Sequence, residues 1–256
     1  MQAVILAGGQ GTRLAELTHK KPKPMIEIGN RPILWHIMKM YSSYSINNFL
    51  VCAGYKNYLI KEYFANYMLH NSNVTFDLGK NECNIHQTKS EQWQVTVIDT
   101  GERTETGGRL KKIKEFLEGE VFLMTYGDGL CDVNITDLIE FHQSHGKLVT
   151  MTAVVPPARF GSIQLEQNKV SKFREKSRSQ AGRVNGGFFV LNKKALNYIK
   201  GDYDVWERDP LEKLTNEGQV MAFIHDGFWQ PMDTIRDKQF LDGLLKDNKI
   251  PWISNS

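Results

Sequence analysis

Three cysteines in 256 residues, Cys52, Cys83 and Cys131, are too few and too scattered for a disulfide framework. No stretch approaches the ~20 consecutive apolar residues that a membrane-spanning helix needs. Neither sign of charge dominates, since 32 Lys and Arg against 29 Asp and Glu leave a net charge of +3. Nucleic-acid binders usually carry a basic face or tail, so nucleic acid is not an expected partner. No internal repeat or low-complexity tract interrupts the chain. The opening Met1-Gln2-Ala3-Val4-Ile5-Leu6 has no basic segment ahead of its apolar run, which predicts neither a signal nor a transit peptide. The expectation is a cytoplasmic protein with no membrane partner, and its 41% hydrophobic content suffices for a full core.

Two familiar glycine motifs are also missing. The dinucleotide fingerprint G-x-G-x-x-G needs a third glycine where Leu14 stands, which leaves a dehydrogenase as the weakest of the alternatives. The ATP-type P-loop needs a Lys followed by Ser or Thr, and the chain has Thr12-Arg13 instead. What is present is Leu6-Ala7-Gly8-Gly9-Gln10-Gly11-Thr12-Arg13, fed by the apolar run Ala3-Val4-Ile5-Leu6, with Lys21-Pro22-Lys23-Pro24-Met25 shortly after. Glycines let the backbone bend sharply and bring N–H groups close to an anion. Arg13 and Lys23 add positive charge where a triphosphate needs it, and a turn that merely reversed the chain has no use for either. Prolines on both sides of Lys23 stiffen its backbone, which favours a placed side chain over a solvated one.

Apolar runs alternate with helical patterns through the first 155 residues. Strands are expected at Ala3–Leu6, Asn48–Ala53, Val95–Asp99, Val121–Thr125 and Leu148–Val155, with helices at Ile33–Tyr44, Asn57–Ala65, Arg109–Leu117 and Thr136–His145. This predicts an α/β fold, a Rossmann-like mixed, mainly parallel sheet with helices on both faces. Residues 1–155 form the nucleotide-binding core, with a structured excursion at about 70–93 that suits a hairpin used in subunit contact. Residues 156–256 form a smaller C-terminal part of the same domain, expected to cover the open edge of the sheet. Strands are expected there at Ser162–Leu165, Val170–Glu175 and Val184–Val190, and helices at Lys193–Ile199, Pro210–Glu217 and Ile235–Leu245.

L-A-G-G-x-G-T-R-L followed by K-P-K-P-M resembles the N-terminal signature of the sugar-1-phosphate nucleotidyltransferases, and the resemblance runs over essentially the whole chain. The segments 32–41, Thr106-Gly107-Gly108-Arg109-Leu110, Thr125-Tyr126-Gly127-Asp128-Gly129 and 227–234 narrow it towards the cytidylyl-transferring branch. The resemblance implies the nucleotide-diphospho-sugar transferase fold, a homo-oligomer, and a reaction of CTP with α-D-glucose 1-phosphate to give CDP-glucose and pyrophosphate. It also implies a place in 3,6-dideoxyhexose and O-antigen biosynthesis. Alternatives left open are another sugar 1-phosphate such as a heptose phosphate, another nucleotide (UTP or dTTP), and a nucleotide-sugar-binding homologue without turnover.

An already ionised phosphate nucleophile needs little proton chemistry, so positioning and charge neutralisation carry the expected catalysis. Arg13 suits the β- and γ-phosphates and Lys23 the α-phosphate or the sugar phosphate, and both are the candidate catalytic residues. The nucleotide is expected against Leu6, Ala7, Gly8, Gly9, Gln10, Gly11, Thr12, Arg13, Lys23, Thr104, Arg109 and Gly127. Asp128 stands at the C-terminal end of a strand, where open α/β sheets bind ligands, and with Asp233 it is expected to hold Mg²⁺. Arg109 is the candidate reader of cytosine O2 and N3; the alternative is an exposed arginine at a helix start. The resemblance implies that residues 156–256 bind the sugar, with Glu175, Lys176, Asn185 and Gly186 facing it, although Ser177 replaces the family's proline and Asn185 also suits a turn. His142 and His145 are expected on a solvated face, Cys83 and His86 lack a second ligand pair, and Trp35, Met38 and Met40 fit a core-facing helix. Trp206 and Trp229 suit either simple packing or a pocket wall.

Overall fold

The computed structural model describes residues 1–11, 14–157, 162–174 and 182–253. At its centre the strand Gln2–Ala7 is buried at every position, as expected of a strand covered on both faces. Its side chains divide with the period of two that a pleated strand imposes. Ala3, Ile5 and Ala7 enter one apolar cluster together with Ile33, Ile37 and Tyr41 of the helix Ile33–Ser42, while Val4 and Leu6 enter the other with Leu110 and Trp206.

Parallel neighbours flank this strand, Asn48–Ala53 on one side and Val121–Tyr126 on the other. The chain first winds outward through Asn48–Ala53 to Gln94–Asp99, then returns to the opposite side of the first strand. The order of winding therefore reverses between Gln2–Ala7 and Val121–Tyr126, and the crevice beyond their carboxyl ends is where such sheets bind ligands. The two strand ends come close because Gly127 has no Cβ: its N–H donates to Leu6 O at 2.9 Å, and a Cβ there would lie 3.1 Å from the same oxygen.

The segment after residue 156 does more than cover an open edge. Val184–Asn192 lies inside the seven-stranded sheet, antiparallel to Val121–Tyr126 on one side and to Val149–Val154 on the other. Val220–His225, which sequence reading missed, closes that end of the sheet parallel to Val149–Val154. The apolar run Val220-Met221-Ala222-Phe223-Ile224 was its signal in the sequence, although at the sheet's edge its side chains are only half-buried or exposed. The remaining part of the mixed sheet is as expected, with Asn48–Ala53 at its anticipated bounds, as is the helix Asn57–Ala65.

The helix expected at Arg109–Leu117 runs instead from Thr106 to Lys112, followed by a 3₁₀ turn at Lys114–Phe116. Glycines are poor helix formers, which argues against helix at Gly107-Gly108. Tertiary contact reverses that preference, because a Cβ at Gly107 or Gly108 would sit 2.7 Å from Asp204 O or 2.4 Å from Asp202 O. The excursion is a hairpin of Ser72–Asp77 with Glu82–Thr88, separate from the main sheet. Among the described residues no helix is long and apolar enough to cross a membrane.

Candidate active site

The glycine loop leaves the first strand at Gly8, and Gly11 adopts a left-handed φ of +63°. A Cβ there would also lie 2.8 Å from Thr18 Cγ2, so that position needs glycine twice over. Thr12 and Arg13 lie outside the described residues, as do Glu175 and Lys176. Lys23 begins a 3₁₀ turn, Lys23–Met25, with Pro22 as its N-cap residue, and is only 9% exposed. Its ammonium donates to Asp128 Oδ2 at 2.6 Å and to Asp233 Oδ1 at 2.8 Å. Burial by itself lowers the lysine pKa, but the two carboxylates outweigh it and the net shift is upward, so Lys23 is a cation across the physiological range.

A small antiparallel pair brings the two aspartates together. Gly129–Cys131 pairs with Trp229–Pro231, Gly129 facing Pro231, and Met232 N–H donates to Asp128 O at 2.8 Å. Asp233 is then fixed from behind by the helix Ile235–Lys246. Thr234 and Asp237 form a capping box there, and Asp237 Oδ2 also accepts from the Asp233 N–H at 3.1 Å. Sequence reading did not single out Asp237, although Thr-x-x-Asp ahead of an apolar helix is its signal.

A cavity of about 330 Å³ opens beyond the two strand ends. Leu6, Ala7, Gly8, Gly9 and Gly11 line it from the loop side, and Lys23, Asp128 and Asp233 from the charged side. Thr104, Arg109 and Gly127 complete the set of anticipated nucleotide residues that it brings together, while Gln10 is exposed and lies outside the lining. A second cavity of about 170 Å³ adjoins it, lined by Asn185, Gly186 and Trp229, and it shares Tyr126, Asp128 and Asp233 with the first.

Arg109 is 4% exposed, which removes the exposed-arginine alternative. Its Nη1 donates to Thr100 Oγ1 at 2.6 Å and Gly101 O at 2.8 Å, and its Nη2 to Gly8 O at 3.0 Å. The guanidinium thus sits against the glycine loop, where a Cβ on Gly8 would fall 2.0 Å from Nη1. Burial lowers its pKa from the usual arginine value, with Cys52, Glu105 and Asp99 opposing that shift.

The solvated face expected for the histidine pair is corrected for His142, which is 4% exposed. His142 Nδ1 and His145 Nε2 each lie 2.8 Å from the Thr150 hydroxyl, and burial pushes the His142 pKa down to about 4. Met38 and Met40 are buried in the core while Trp35 is half-buried, its indole N–H donating to the Tyr67 hydroxyl at 2.8 Å. Trp206 is fully buried, whereas Trp229 lines the second cavity. Sequence reading quoted Tyr126 within the motif around Asp128 but gave it no role, and no local pattern points to Glu207, whose carboxylate accepts a hydrogen bond from the Tyr126 hydroxyl.

The model of the nucleotidyl transferase family matches residues 2–237. The chain belongs to that family. It is 53% identical over 253 residues to the glucose-1-phosphate cytidylyltransferase of Salmonella typhi, covering 98% of each chain. At greater distance, the mannose-1-phosphate guanyltransferase of Saccharomyces cerevisiae is 29% identical, with 96% of this chain and 64% of that protein covered. Among solved structures, HddC from Yersinia pseudotuberculosis complexed with GMP-PN superposes with a TM-score of 0.70 and 25% identity, covering 95% of this chain and 99% of that one. The mixed seven-stranded sheet is thus that of the nucleotide-diphospho-sugar transferases, and the family member described here carries the acidic pair and its lysine where the sheet's winding reverses.

Proposed function

We propose that this nucleotidyltransferase transfers a cytidylyl group from CTP to α-D-glucose 1-phosphate, giving CDP-glucose and pyrophosphate. The substrate pair rests on the 53% identity over nearly the whole chain. The observation that carries the chemistry is the Lys23 ammonium clasped between Asp128 and Asp233, on the wall from which both cavities open.

In the proposed reaction a phosphate oxygen of the sugar phosphate attacks the α-phosphorus of CTP, and the bond from that phosphorus to the oxygen bridging to the β-phosphate breaks in line with the attack. The electron pair leaves with pyrophosphate, and no proton needs to move. The glycine loop cradles the triphosphate with backbone N–H groups, Arg13 meets the leaving phosphates, and Lys23 meets the α-phosphate. The second cavity receives the sugar, with Asn185, Gly186, Glu175 and Lys176 as its proposed contacts. Thr104 borders the nucleotide, and Arg109 is the proposed reader of the base.

Two carboxylates converging on a cation offer the all-oxygen donor set that a hard divalent ion prefers, so Asp128 and Asp233 fit Mg²⁺. When bound there, Mg²⁺ would supply charge neutralisation at the phosphates. We further propose that the enzyme works as a cytoplasmic homo-oligomer supplying CDP-glucose to 3,6-dideoxyhexose and O-antigen synthesis.

The test is pyrophosphate release from a panel of nucleotides (CTP, UTP, dTTP, GTP) and sugar 1-phosphates (glucose, mannose, heptose) with Mg²⁺. CTP with glucose 1-phosphate is expected to give the highest kcat/KM. A higher value for another pair reassigns the substrates, and no release with any pair leaves a nucleotide-sugar-binding protein without turnover.

A further inference from the structure

Glu207 lies outside every motif so far considered, in the loop between Gly201 and the helix Asp209–Asn216, yet it joins the two cavities. Its Oε2 accepts from the Thr106 hydroxyl at 2.7 Å, and Thr106 Oγ1 in turn accepts from the Trp206 N–H at 2.9 Å. Thr106 borders the first cavity and opens the helix that carries Arg109. The other oxygen, Oε1, accepts a hydrogen bond from the Tyr126 hydroxyl. Tyr126 borders both cavities and immediately precedes Gly127-Asp128.

The protons along this chain of groups can be followed one by one. An ionised carboxylate only accepts, so the hydroxyl protons of Thr106 and Tyr126 both point at Glu207. Asn185 Nδ2 donates to Tyr126 Oη at 3.3 Å, and Asn185 Oδ1 is itself occupied by the Gly187 N–H at 2.8 Å. The Tyr126 ring is held as well, because Gly187 has a φ of +80° and a Cβ there would fall 2.6 Å from Tyr126 Cδ2. With its proton committed to Glu207 and one acceptor site already taken by Asn185, Tyr126 Oη can offer the second cavity only its remaining acceptor site. A sugar hydroxyl, which donates, fits that site; a position lacking the hydroxyl leaves it unfilled.

We propose that Glu207 is a positioning residue that fixes the Tyr126 hydroxyl as a hydrogen-bond acceptor for one hydroxyl of the sugar substrate. The role of Tyr126 rests on reading the second cavity as the sugar site. A carboxamide at position 207 keeps the size of the side chain but replaces one acceptor by a donor. Tyr126 can then turn its proton towards the sugar, and donor faces donor.

The test is a double-mutant cycle with Glu207→Gln, Tyr126→Phe and the pair, each confirmed as folded by its melting transition. Each single change is expected to raise the KM for glucose 1-phosphate about tenfold, with the KM for CTP moving less than about threefold. The double variant is expected to be no worse than the weaker single variant within about twofold, because both changes remove the same interaction. Multiplicative losses, equal shifts for CTP and sugar phosphate, or no shift in either overturn the proposal. Should Glu207→Gln fail to fold, Tyr126→Phe decides the matter: it is expected to lose most of the wild-type preference for glucose 1-phosphate over one of its monodeoxy analogues, and an unchanged preference across all of them overturns the proposal. Wild-type protein that releases no pyrophosphate from CTP and glucose 1-phosphate sinks the proposed function and this inference together, whereas active wild type with unmoved variants sinks this inference alone.

Discussion

The acidic centre and the hairpin Ser72–Thr88 treat polar and apolar groups in opposite ways. In the centre, Lys23 is 9% exposed and held by two carboxylates, and Arg109 is 4% exposed with its guanidinium tied to loop carbonyls and a hydroxyl. In the hairpin, Leu78 is 90% and Phe76 59% exposed. A buried charge is tolerable only while its partners stay in place, so one lost side chain there disturbs several others. An exposed apolar side chain loses almost nothing on replacement unless another molecule covers it.

The sharpest way to break this contrast is Lys23→Ala. It leaves two facing carboxylates and removes the cation proposed for the α-phosphate, and a loss of about 10²–10³-fold in kcat/KM is expected in steady-state assays. A loss below tenfold would place the chemistry elsewhere. Arg109→Ala comes next. If the guanidinium reads the base, the ratio of kcat/KM for CTP over UTP should fall about tenfold or more. Equal losses with both nucleotides would instead make Arg109 a strut beneath Gly8.

Asp237→Ala removes the reciprocal cap and the hold on the Asp233 backbone. Denaturant melts should show a loss of about 1 kcal/mol, accompanied by weaker divalent-ion dependence of activity. His142 tests the buried side of the contrast through pH. Its folded pKa of about 4 lies below the ordinary histidine value, so below pH 6.5 the unfolded chain binds the extra proton and the folded one does not. Stability should therefore fall as pH drops from 6.5 towards 4, at up to about 1.4 kcal/mol per unit from this group. His142→Gln should flatten that slope in melts recorded across the range. The smallest effect is expected from Leu78→Ser with Phe76→Ser, which should leave monomer stability within about 0.5 kcal/mol and kcat unchanged. If the hairpin forms the subunit contact, light scattering should show these variants dissociating; an unchanged mass would remove the hairpin from the interface.

Much of the fold was legible because local pattern and tertiary need agree. Val51-Cys52-Ala53 sits in an apolar run that only a doubly covered strand uses, and Asn57–Ala65 is helical in pattern and in fact. Agreement fails where contact overrides preference. Gly107-Gly108 looks like a break and is helix, because the backbone at Asp202 and Asp204 leaves no room for a Cβ. Val184–Asn192 reads as a strand, yet nothing in its own residues says that it enters the sheet between two segments that precede it.

The candidate site divides in the same way. The glycine loop, Lys23, Asp128 and Asp233 stand in short local motifs, because a phosphate-binding bend and a strand-end carboxylate need particular neighbours in sequence. Lys23 meets the two aspartates because the short pair Gly129–Cys131 and Trp229–Pro231 forms, and Tyr126 meets Glu207 because the loop before Asp209–Asn216 docks on the helix at Thr106. Periodicity determined the alternation of elements, and short motifs together with the family resemblance supplied the residue types of the site, since both depend on neighbours a few positions apart. Which distant side chains share a hydrogen bond was decided only by the order of strands and the packing of loops, because those bonds form across the sheet and not along the chain.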